Sequence, residues 1–136
     1  MIDKALKETL VAKIGEGEFG AGDVLEYLKL FCQVCDSSED IQDEVGNWNR
    51  NVQFRLDGGE DFWWKVHEGK FECGPGSIDA PGLTLKMPAA AAAAILIGEK
   101  DATSAYMDGT LKVEGQLPDA VKVRTLIEIV RDELDL

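Results

Sequence analysis

GEKDATSAYMDGTLKVEG, residues 98–115, decides how the rest of the chain is read. Asp101 to Asp108 has the spacing of a short helix, with Ala102, Ala105 and Tyr106 as its apolar positions. Gly109 ends that helix, because glycine just past a helix adopts the left-handed conformation at no steric cost. Thr110 to Glu114 then alternates, with Leu111 and Val113 on one side and Thr110, Lys112 and Glu114 on the other. That is the period of a half-buried strand, and Gly115 closes it. A glycine-bounded helix, turn and strand of this kind lays an apolar helix against the face of a sheet.

Upstream, four more segments alternate in the same way. Val52, Phe54 and Leu56 share one side, as do Phe62, Trp64 and Val66, then Phe71 and Cys73, then Leu83, Leu85 and Met87. Turn residues separate them at Asp57-Gly58-Gly59 and Glu68-Gly69, and a Gly- and Pro-rich connection spans residues 74–82. Five strands with one apolar and one polar side predict an α+β fold. Its sheet is mostly antiparallel, with helices on one face. Pro88 opens a helix of six alanines, 89–94, followed by Ile95, Leu96 and Ile97, and Gly98 ends it. A last helix starts near Pro118, with Val123, Leu126, Ile127, Val130 and Leu134 inward and Lys122, Glu128, Arg131 and Asp132 toward water.

At the other end, Ile2, Leu6, Leu10 and Ile14 form a helical stripe, widened by Ala5 and Val11. Asp23 and Glu26 have the spacing of a capping box for a second helix that turns Val24, Leu28, Phe31, Cys32 and Cys35 inward. Ser37 and Ser38 start a shorter acidic helix that ends at Gly46. The expected organisation is one domain over residues 1–136, a helical extension at 1–44 on a core at 45–136.

A net charge of −12 argues against nucleic acid and against an electrostatic hold on anionic membranes. No apolar run reaches the length of a membrane span. The N-terminus has no signal-peptide pattern and three cysteines is an odd number, which together point to free thiols in a cytoplasmic setting. Cys32 and Cys35 form C-x-x-C on a helix with no strand before it, which is not the redox context. Alternation puts His67 and Cys73 on opposite faces, so no metal site is expected, and no cofactor. His67 is the one histidine, and no nucleophile has a base beside it, so the chain is not expected to be an enzyme. Trp63, on the polar side of its strand, is either a partner contact or is covered by the N-terminal helices.

The alanine run leaves two alternatives: the helix lies close on the sheet, or its small side chains leave a cavity beside Ile95, Leu96 and Ile97. The 98–115 stretch resembles the signature of the sterol carrier protein 2 (SCP2) family. The likeness rests on Gly98, Ser104-Ala105-Tyr106, Gly109, Leu111-Lys112-Val113 and Gly115. It continues through Phe54-Arg55-Leu56-Asp57-Gly58 and the hairpin from Trp63 to Gly69, and covers about residues 45–134. The resemblance implies an apolar tunnel between helices and sheet that holds a fatty acyl, isoprenoid or sterol ligand, for binding or for transfer within the cell. It places Phe54, Trp64, Val66, Leu83, Leu85, Leu111 and Val113 of the sheet on one wall. Ala93 and Ile97, Tyr106 and Met107, and Leu126 and Val130 close the others. The alternative is a non-catalytic accessory module for a lipid or quinone biosynthetic enzyme, with a partner protein or a second copy of itself as its target.

Overall fold

The computed structural model describes residues 2–136. Three helices come first: α1 (Lys4–Gly15), α2 (Val24–Ser37) and α3 (Glu39–Val45). Strands β1 (Arg50–Asp57), β2 (Phe62–His67), β3 (Lys70–Pro75) and β4 (Leu83–Pro88) follow, then α4 (Ala89–Leu96) and α5 (Ala102–Met107). Strand β5 (Lys112–Gly115) and helix α6 (Leu117–Glu133) complete the chain. The strands lie in the order β3-β2-β1-β4-β5. Every neighbouring pair is antiparallel except β1 and β4, which run parallel with Val52 opposite Leu83 and Phe54 opposite Leu85. The α+β class and the five-stranded, mostly antiparallel sheet are as the alternation predicts.

Period-two burial explains the layering. Val52, Phe54, Leu56, Phe62, Trp64, Val66, Leu83, Leu85 and Met87 are all buried on the inner face. On the outer face Arg55, His67 and Lys86 are exposed. Gln53 breaks the pattern, being buried on that outer face. Its Nε2 donates to the carbonyls of Phe62 (3.1 Å) and Gly76 (2.9 Å), and its Oε1 accepts from Ile78 N–H at 2.9 Å. The connection between β3 and β4 therefore folds over β1, and the amide of Gln53 satisfies backbone groups the fold would otherwise strand.

Helix α2 is more central than a one-sided stripe implies. Tyr27, Leu30 and Val34 are buried along with the expected Val24, Leu28, Phe31, Cys32 and Cys35. Its start differs from the expected capping box: Asp23 makes no side-chain cap to α2. Instead its carboxylate pairs with Lys13 Nζ at 2.7 Å and accepts from Gly20 N–H, which ties the α1–α2 loop down and holds the Asp23 carboxyl below its ordinary value. In α1 only Leu10 is buried, with Ile2, Leu6 and Ile14 half-buried against the core and Ala5 exposed. Trp63 is not covered by the helices. The helices lie on the other face, and its ring rests over Gly74, its partner in the β2–β3 register, where an added Cβ would sit 2.9 Å from the indole.

The N-terminus of α6 is fastened to the sheet by a buried carboxylate. Asp119 accepts from Trp48 Nε1 at 2.8 Å and from Arg50 Nε at 2.9 Å. Burial pushes its pKa up, but these hydrogen bonds outweigh it and the carboxyl lies below its ordinary value.

Candidate ligand-binding site

The helix–sheet interface is not filled evenly. Under α4, α5 and α6 it holds a void of about 40 Å3. The floor is Phe54, Phe62, Leu85 and Met87. Ala92, Ile95 and Leu96 of α4 form one side, and Ala102 of α5 with Ala120, Val123, Arg124 and Ile127 of α6 form the other, beside Leu111. Three of the helical positions facing it are alanines, and a methyl group cannot reach across to the sheet. An empty space of this size costs about 1 kcal/mol, small enough to persist in a stable fold.

Two further concavities adjoin it. A groove of about 140 Å3 shares Ala102, Leu111, Ala120 and Arg124 with the void and continues outward past Val113, Leu117 and Val121 to Tyr106. Its outer rim is apolar yet open to water: Tyr106 is 43% exposed, Leu117 48% and Val121 50%. On the other side a polar recess of about 120 Å3 shares Ile95, Ala102, Arg124 and Ile127 with the void and is completed by Gly98, Lys100, Asp101, Glu128 and Arg131. Arg124 borders all three spaces.

Of the residues expected in a tunnel, Phe54, Leu85 and Leu111 line the void, and Val113 and Tyr106 line the groove. Trp64, Val66, Leu83, Ala93, Leu126 and Val130 are buried in the core but do not border either space. Ile97 is half-buried and outside both. Met107 is 80% exposed. Helix α5 buries Ala105 fully, and two residues later the helix has turned about 200°, so Met107 points to solvent. Arg131 also departs from expectation. It is half-buried over Gly98, which takes φ 86° and has no room for a Cβ beside the guanidinium. Sequence reasoning passed over Ala120 and Arg124. The available signal was a small residue, then a cation, on the sheet-facing side of an otherwise bulky helix.

The cysteines are free thiols. Cys32 and Cys73 meet across the α2–β3 contact and share a hydrogen bond, which raises the Cys32 thiol and lowers Cys73 to about 7, with Lys29 adding to the lowering. Cys73 Sγ also lies 3.9 Å from the Leu28 carbonyl. Burial pushes Cys35 up. Among the described residues no group of three or more His, Cys, Asp or Glu side chains is disposed to hold a metal ion. Among the same residues no helix is long and apolar enough to cross a membrane.

A mixed sheet with helices on one face and an apolar space between the layers defines a class of small α+β domains. The chain belongs to the SCP-2 sterol transfer family, whose model matches residues 28–128. The match begins inside α2 and takes in α3 and all five strands. No curated protein sequence matches the chain. The solution structure of sterol carrier protein domain 2 of Helicoverpa armigera is similar at 17% identity and a TM-score of 0.63, over 82% of this chain and 88% of that one. UbiJ-SCP2, a ubiquinone synthesis protein, is similar at 12% identity and a TM-score of 0.62, over 74% and 84%. The sec-alkylsulfatase Pisa1 from Pseudomonas sp. is similar at 16% identity and a TM-score of 0.61, over 76% of this chain. The chain spans only 15% of that enzyme's length. At these identities the likeness shows the fold. Family membership implies lipid binding or transfer as the class of activity.

Proposed function

We propose that this protein binds one lipid-like apolar chain between α4, α5, α6 and the sheet, without chemical turnover, in a cytoplasmic setting. The observation that carries this is a largely apolar void that shares Ala102, Leu111, Ala120 and Arg124 with an apolar groove reaching solvent at Tyr106 and Val121. A void of about 40 Å3 is far below the roughly 300–1,000 Å3 of sites that enclose a ligand. Binding therefore requires α5 to move off the sheet while Asp119 keeps the start of α6 in place. Helix α5 is placed to do so: it is a six-residue helix with one buried side chain, Ala105.

The test is mass spectrometry of the protein under native and denaturing conditions for a stoichiometric lipid, with displacement of a fluorescent fatty acid. Ala120→Phe, at the junction of void and groove, abolishes displacement while the fold is retained. Unchanged binding in that variant, or no lipid in any assay, overturns the proposal. The smallness of the void favours a second reading, in which the exposed Tyr106–Leu117–Val121 rim meets a partner protein as a non-catalytic accessory module. The fold likeness to UbiJ-SCP2 supports it. A chain that binds no lipid but loses a partner on Val121→Asp is the outcome that decides for it.

A further inference from the structure

The polar recess beside the void sits in a chain of net charge −12, yet three cations line it. Two are engaged. Lys100 pairs with Asp108 at 3.3 Å, and Arg124 donates from Nη1 to Thr103 Oγ1 at 2.6 Å while its Nε lies 3.7 Å from Glu128. Of the recess carboxylates, Asp101 is committed to capping α5 through Ser104 N–H. Arg131 has no carboxylate partner among the described residues, and its guanidinium fills the space beside Gly98, where any other side chain would collide with it. The Nε atoms of Arg124 and of Arg131 are both buried and neither makes a hydrogen bond; Arg124 Nε has only the Glu128 carboxylate, 3.7 Å away. A buried donor left unpaired is costly. An unpaired guanidinium beside a loosely paired one suits an acceptor that brings more than one oxygen, and arginine's planar fork matches carboxylate and phosphate. The recess adjoins the apolar void and shares Ile95, Ala102, Arg124 and Ile127 with it.

We infer that the recess at Arg131 and Arg124 receives the anionic head group, a carboxylate or phosphate monoester, of a long-chain amphiphile whose tail lies in the adjoining void and groove. This rests on the lipid-binding proposal above and narrows it: an uncharged lipid such as a sterol leaves Arg131 without a counter-charge and is disfavoured.

The experiment compares hexadecanoate, hexadecyl phosphate and hexadecanol on the full chain, all below their aggregation concentrations, by displacement of a fluorescent probe. The two anions bind about tenfold more tightly than the alcohol, as expected for one charge-assisted contact. In Arg131→Gln that gap closes with hexadecanol binding unchanged, and Arg131→Lys restores part of it. The three-ligand comparison on the parent chain needs no variant, so a misfolded Arg131→Gln does not obscure the answer. Equal binding of all three overturns the head-group assignment and leaves lipid binding standing. Failure of all three overturns both. Tight binding of butyrate or inorganic phosphate alone gives the recess to free anions and overturns the amphiphile.

Discussion

The inner face of the sheet is covered in two different ways. Over β3, β2 and the start of β1 the contacts are aromatic. Trp64 lies within 5.5 Å of Phe31, 5.6 Å of Phe71, 6.0 Å of Phe54 and 6.4 Å of Trp48, measured between ring centroids, and α2 caps the cluster. Over β4 the covering helices present Ala92, Ala102 and Ala120, and space remains. One sheet therefore carries a half built for stability and a half built to yield. The difference comes from side-chain reach: aromatic rings fill the layer between helix and sheet, and methyl groups do not.

The largest effect is expected in the aromatic half. Phe31→Ala is expected to cost about 3–5 kcal/mol in chemical denaturation, the range for a buried phenylalanine in a close-packed site. A loss under 1 kcal/mol would show that this half also has slack. Next in size is Asp119→Asn, which weakens the tie between α6 and the strand that joins the halves. It should cost about 1–3 kcal/mol, through hydrogen bonds from Trp48 and Arg50 that need a carboxylate. The Asp119 carboxyl titrates below its ordinary value in the folded chain. Its contribution is thus fully present above about pH 4, the unfolded pKa, and is lost as the pH falls further through the folded one. The stability difference between parent and Asp119→Asn should shrink over that interval.

A matched pair sharpens the contrast. Ala105 is fully buried away from the void and Ala92 faces it. Valine at either position carries a similar helix-propensity cost. Ala105→Val is expected to destabilise by about 1–3 kcal/mol through overpacking, and Ala92→Val by less than about 1 kcal/mol because the void absorbs the added methyls. Equal losses in thermal melts would mean the void is not available to side chains. The smallest effect is chemical. Cys73 should react with iodoacetamide along a pH profile centred near 7, while Cys32 and Cys35 stay protected until unfolding. Cys32→Ala should move that profile upward, since the hydrogen bond from Cys32 is its main cause.

The sheet was legible in the sequence because each strand buries one face, and alternation reports that directly. So was the turn of chain from α5 to β5, where Gly109 takes φ 85°. Gln53 was not legible, because its burial is decided by a loop that arrives from beyond β3. The candidate site was half legible. Phe54, Leu85 and Leu111 follow from the strand period, and on helices the period fails where two neighbours compete for one face. Ala93 and Ala92 are both buried, and only the second meets the void. Arg131 reads as a surface residue on any helical wheel, and only the glycine turn at 98, distant in sequence, brings it inward.

The parallel pairing of β1 with β4 also sets an order of events in time. The β1–β2–β3 meander closes through short turns and can form early, before Val52 finds Leu83 across the whole intervening hairpin and loop. Strand β4 and everything hung on it assemble after that long closure, so this part of the molecule forms last. It is also the part expected to unlatch first, with amides of β5 and α5 exchanging through sub-global openings that leave the α2-capped meander protected. Late assembly and local opening fall on the same elements that would have to swing aside for a guest.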